Sequence, residues 1–153
     1  MVANTPAIAA AALYICATLY HLFQRIKSRQ PQRHAWLFAI GTAGLVCHGY
    51  AVSSMLITPS GINFSLWPVS VLILFVVNLI VLLGSLRKPL HSLFVLLFPA
   101  SALVIICSLV FGYTVIDGEH LSINIGIHVI FSLLAYSLFT IATVQALLLA
   151  YQN

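Results

Sequence analysis

Charge is so scarce in this chain, and so grouped, that it dictates what the rest can fold into. Arg25, Lys27, Arg29 and Arg33 form one cluster, Arg87 and Lys88 a second, and the two acidic residues, Asp117 and Glu119, stand together elsewhere. The stretches between these markers are apolar, and each is long enough for a helix to cross the hydrocarbon core, which takes about 20 residues. With 62% hydrophobic and 5% charged residues, the chain would expose far too much apolar surface in water, where soluble domains run to about a quarter charged. Inside a bilayer every backbone polar group must find its partner within the protein, and a helix does this segment by segment. The expected fold is therefore all-α, a polytopic membrane helix bundle.

Five crossings are expected, at about 5–23, 35–57, 64–86, 90–115 and 125–151. They use up nearly all of 153 residues, so a single integral membrane domain covers 1–153. The segment Thr58 to Asn63, with Pro59 and Gly61, reads as an uncharged turn. Pro99 falls inside the fourth crossing, where a kink is expected.

All Lys and Arg lie in the first and third connections, and the second and fourth carry none. Positive charge in short loops marks the cytoplasmic side. The expected topology has the N-terminus outside and the C-terminus in the cytoplasm. The first apolar stretch has its basic residues after it rather than before it, so it reads as a first helix and not a signal peptide. Trp36, Trp67, Tyr113 and Tyr151 fall near the expected boundaries, as interfacial aromatics do.

The composition excludes several kinds of chemistry. A formal net charge of +4 could suggest nucleic acid, but the basic residues are confined to loops between spans. Cys16, Cys47 and Cys107 sit in apolar runs with no C-x-x-C spacing, so they read as small buried hydrophobes. The two acidic residues share a loop, which leaves no carboxylate pair for acid–base work and no buried Asp for a Ser-His-Asp arrangement. No H-E-x-x-H and no glycine-rich phosphate loop occurs.

Small and polar residues mark packed faces in a membrane. Gly41, Gly44 and His48 form such a stripe on the second helix. Tyr14, Thr18 and His21 share a side of the first. His128, Ser132 and Tyr136 follow one another at four-residue spacing on the fifth, with Thr143 further along, and Asn78 falls near mid-membrane on the third.

Six histidines against two carboxylates is an unusual balance, and a neutral imidazole offers metals a lone pair without bringing charge into lipid. His34, His91 and His21 read as interfacial, and His120 as a loop residue. His48 and His128 both fall in the outer half, with depths differing by roughly 10 Å at 1.5 Å per residue.

The run Gly126-Ile127-His128-Val129-Ile130-Phe131-Ser132-Leu133-Leu134-Ala135-Tyr136-Ser137-Leu138 resembles the signature of the cytochrome c assembly membrane proteins, the CcsA/CcmC/HemX-like family. Leu96-Leu97-Phe98-Pro99-Ala100-Ser101-Ala102-Leu103 and Leu45-Val46-Cys47-His48 add to the likeness, which is greatest to the HemX-like branch. The resemblance implies a haem-handling protein of the bacterial inner membrane. It would bind haem, or assist its delivery or biosynthetic regulation, beside a haem-biogenesis or cytochrome-maturation partner, and would be an accessory rather than an enzyme. His128 inherits the role of axial ligand to the haem iron, and His48 that of a second, intramembrane site. Family members have more crossings than this chain has room for, and a tryptophan-rich loop with a second outer histidine would follow the fifth helix. The likeness therefore implies the N-terminal part of a longer protein, or a short variant. A reading from another class stands beside it: a non-catalytic scaffold or regulatory subunit whose histidines only pack.

The orientation has a direct test. Arg29→Cys and Arg87→Cys should stay unlabelled by a membrane-impermeant thiol reagent added outside intact cells, and Glu119→Cys should label above the background of the native cysteines. The reverse pattern would invert the topology.

Overall fold

A computed structural model describes residues 4–27, 34–59, 61–87, 91–112 and 123–152. Its elements are α1 (Thr5–Lys27), α2 (His34–Leu56), β1 (Ile57–Thr58), β2 (Gly61–Ile62), α3 (Leu66–Ser85), α4 (His91–Phe111) and α5 (Ile123–Gln152). All five helices are long and apolar enough to cross a membrane. Hydroxyls along them are absorbed locally. Thr18, Thr42, Ser101, Ser137 and Thr140 each donate at 2.8 Å to the carbonyl four residues earlier, which is how Ser and Thr are tolerated in hydrocarbon.

Several helix limits differ from the sequence expectation: α1 continues to Lys27 rather than 23, α5 begins at Ile123 rather than 125, and two further differences have a local cause. The third helix begins at Leu66 rather than 64, because the preceding residues are tied into a turn. The Asn63 N–H donates to the Leu56 carbonyl at 2.8 Å, and Asn63 Oδ1 accepts from the Ser65 N–H at 3.0 Å. The uncharged turn is a small antiparallel hairpin pairing Ile57 with Ile62 and Thr58 with Gly61. Gly61 has φ 125°, a conformation that side chains disfavour. The fourth helix ends at Phe111 rather than 115. The Gly112 N–H closes the last turn on the Ser108 carbonyl at 2.8 Å, and a Cβ at 112 would collide with that same oxygen. Helix α4 continues through Pro99 without interruption. Arg29, Arg33, Lys88, Tyr113, Asp117, Glu119 and His120 lie outside the described residues.

Helices α1 to α4 close a ring in which each packs on the next and α4 returns to α1. Contacts at two levels fix the directions. Asn78 meets Ser101 and Trp67 stacks on Phe111, so α3 and α4 are antiparallel. Gly41 approaches Phe98 and Met55 meets Ser108, so α2 and α4 run parallel. Seven Cα steps from Lys27 to His34 reach at most about 25 Å, less than the ~33 Å length of α1, so α1 runs antiparallel to α2. The C-terminal ends of α1 and α3 therefore share one end of the bundle, and the backbone of Arg25, Lys27 and Arg87 lies there.

Helix α5 stands outside the ring, packed mainly on α3 and more lightly on α4. Only 11% of its span is buried, against 33% to 44% in the other four. The outer surface carries exposed Leu19, Phe23, Val46, Leu83, Leu103 and Phe139, which suits contact with lipid tails. Trp36 and Tyr151 are exposed at one end, and the Trp67–Phe111 stack lies at the other, in the manner of aromatic belts.

Three glycines of α2 each seat a ring from a different helix. A Cβ at Gly41 would stand 2.9 Å from Phe98 of α4, one at Gly44 3.0 Å from Tyr14 of α1, and one at Gly49 3.0 Å from Phe75 of α3. The rings make a continuous row through the core. Phe94 stacks on Phe98 at 4.8 Å and Phe98 on Tyr14 at 4.9 Å. Tyr14 then meets His48 edge-on at 5.6 Å, and His48 meets Phe75 in the same way at 5.6 Å. Overpacking a filled core costs typically about 1–3 kcal/mol. Gly44→Leu should therefore lower the thermal unfolding midpoint in detergent micelles by several degrees, and an unchanged midpoint would contradict this packing.

Candidate functional site

The row of rings holds a buried polar group bonded to two neighbouring helices. His48 is fully buried. Its Nε2 lies 3.1 Å from the Val71 carbonyl oxygen, and its Nδ1 lies 3.0 Å from the Tyr14 hydroxyl. A carbonyl only accepts, so Nε2 carries the hydrogen and donates it to Val71. Nδ1 is then the acceptor, and the Tyr14 hydroxyl donates to it. One neutral imidazole thus joins α1, α2 and α3 at a single level, with both nitrogens engaged and no lone pair turned outward.

A second polar contact lies deeper. Asn78 Nδ2 donates to the Leu74 carbonyl at 2.9 Å and to Ser101 Oγ at 2.6 Å. The Ser101 hydroxyl passes its own hydrogen to the Leu97 carbonyl. Asn78 Oδ1 is buried with no partner among the described residues. This pair clamps α3 to α4.

His128 is placed quite differently. It is exposed and lines a cleft of about 390 Å³ between α3 and α5, with Phe64, Val69, Ile73, Val129, Ser132, Leu133 and Tyr136. The α3 side of this cleft is wholly apolar. The α5 side carries His128, Ser132 and Tyr136, the run already apparent from their four-residue spacing. Thr143, further along, is exposed and donates to the Phe139 carbonyl at 2.9 Å.

The two histidines singled out in the sequence flank the same stretch of α3 from different sides. His48 meets Val71 and Phe75, while His128 shares its cleft with Val69 and Ile73. Residues two apart on a helix point about 200° from each other, so α3 stands between the two imidazoles. Their levels agree better than a count of rises suggests, because both register against residues 69–75. Of the interfacial histidines, His21 is buried; for His34 and His91 the structure describes the backbone alone, at the starts of α2 and α4. Among the described residues, no three His, Cys, Asp or Glu side chains gather as a metal-ion site.

Sequence reasoning identified the Gly41, Gly44, His48 stripe and the side of α1 that carries Tyr14. It missed the Tyr14–His48 bond and the part of Gly49. The available signal was that His48 and Gly49 are neighbours on α2 and so project about 100° apart, toward two different partner helices.

The hydrogen bond can be weighed by a double-mutant cycle on Tyr14→Phe and His48→Phe, read by unfolding in micelles. Hydrogen bonds between membrane helices average about 0.6 kcal/mol with a maximum near 1.7, and a coupling within that range is expected. A coupling of zero would mean that the two rings only pack. Comparison with known proteins gives no likeness to argue from: no protein-family model, no curated protein and no solved structure matches this chain.

Proposed function

We propose that this multi-pass membrane protein handles haem in the bacterial inner membrane, as an accessory to cytochrome c assembly or haem biosynthesis. In this reading His128 is the axial ligand, the N-terminus lies outside, and the partner is a haem-biogenesis or cytochrome-maturation protein. The observation that carries the reading is His128 itself, an exposed imidazole on the wall of an apolar cleft. A haem site asks for an imidazole nitrogen beside apolar walls that set the polarity around the iron, and the cleft-lining residues supply both. Bound haem would supply its own redox and ligand-exchange chemistry. The chain would contribute the nitrogen, the apolar wall of Phe64, Val69 and Ile73, and the position beside α5.

His48 has no place in that ligand set as it stands, since recruiting it would break its bonds to both Tyr14 and Val71. Its role here is to hold three helices together. That same observation favours the second reading, a membrane scaffold or regulatory subunit whose histidines serve packing.

The two readings part in a visible spectrum. Haem titrated into the purified protein should give a Soret band that shifts in His128→Ala and not in His34→Ala. Equal spectra for wild type and both variants would favour the scaffold.

A further inference from the structure

Helix α5 turns most of its surface away from the four-helix ring, and one stripe of that surface carries a pattern that contact with lipid does not require. Phe131, Ala135, Leu138, Ala142, Gln145 and Leu149 follow one another at alternating steps of four and three residues, the a/d spacing of a coiled coil. All six are exposed, Phe131, Leu138 and Leu149 by 68%, 58% and 61%. At about 100° per residue the stripe lies roughly 130° around the helix from Ser137 and Val144, the two buried residues that face the bundle. It runs for about 27 Å, close to the thickness of the hydrocarbon core.

Gln145 identifies what the stripe meets. It stands about 9 Å along the helix from Tyr151 at the membrane boundary, so its amide lies in hydrocarbon, where an unmatched polar group is costly. The hydroxyls of Ser137, Thr140 and Thr143 are absorbed by carbonyls of their own helix. The Gln145 carboxamide has no hydrogen-bond partner among the described residues. We propose that a second copy of this chain covers the stripe, with the two α5 helices parallel and the two Gln145 amides bonded to each other across a two-fold axis along the membrane normal. Copies inserted in the same sense pair symmetrically about that axis, which brings identical residues to one level. A carboxamide carries donor and acceptor on one group, so the partial charges are complementary. Each Gln145 donates from Nε2 to the other's Oε1 and accepts in return; a lipid tail offers neither. Ala135 and Ala142 let the two backbones approach between the longer pairs. Helices α3 and α4 pack on the other side of α5 and leave the approach open.

Energy transfer between donor- and acceptor-labelled copies of the full chain in liposomes tests this. Transfer should saturate as the protein-to-lipid ratio rises. Gln145→Leu should raise the dimer dissociation constant about three- to twentyfold, the range of one hydrogen bond between membrane helices. Gln145→Asn, which keeps the amide, should stay near wild type. The Gln145 side chain is exposed in the single chain, so these variants leave the core intact. A second measurement locates the contact. In a background of Cys16→Ala, Cys47→Ala and Cys107→Ala, Ala142→Cys should give a disulfide-linked dimer when membranes are oxidised with copper phenanthroline. Leu147→Cys, also exposed but about 160° away around the same helix, should not. A chain that stays monomeric in liposomes would assign the stripe to a different protein and overturn the proposal. So would a dimer indifferent to Gln145→Leu, or equal cross-linking at both positions.

Discussion

Hydrocarbon offers no water to a stranded polar group, and the placement of Tyr14, His48 and Val71 follows from that. An imidazole at this depth is tolerable only when both of its nitrogens are satisfied, and satisfying them takes one group from α1 and one from α3. The histidine of α2 therefore determines which faces of its neighbours can approach, and at what level. Two rungs away, Asn78 and Ser101 impose the same discipline on α3 and α4. These two polar contacts, with the row of rings between them, turn four apolar rods into a ring with one register.

The small residues of α2 complete that logic. Close approach of a ring to a helix backbone needs a position without a side chain, and Gly41, Gly44 and Gly49 supply one to each neighbouring helix. Apolar side chains alone could not do this, since in a membrane they have no preference for each other over lipid. Specificity comes from where the chain lacks a side chain and from where it carries a polar one.

Much of this was legible beforehand. Apolar runs bounded by basic clusters gave five helices with near-correct limits, because span length is set by bilayer thickness. Two of the errors fell where local hydrogen bonding overrides hydropathy: Asn63 delays α3, and Gly112 with the Ser108 carbonyl ends α4 early; α1 and α5 extend past their apolar runs because a helix can continue into polar residues beyond the hydrocarbon. The glycine stripe was visible in the spacing, as was the line of His128, Ser132 and Tyr136. What spacing cannot express is pairing. That His48 reaches Tyr14 and not another hydroxyl depends on the vertical register of α1 and α2, and no residue states that by itself. Nor does hydropathy distinguish α5 from the rest, although it is by far the least enclosed.

That difference in enclosure divides the molecule mechanically. Among the described residues, the hydrogen bonds and stacked rings between helices run among α1 to α4 and do not include α5. Tilting the last helix away from α3 would uncover the buried Ser137 and Val144, but it would break none of those bonds or stacks. The two sides of α3 are therefore held unequally: one is pinned through Val71 to the imidazole, and the other meets α5 by side-chain packing alone.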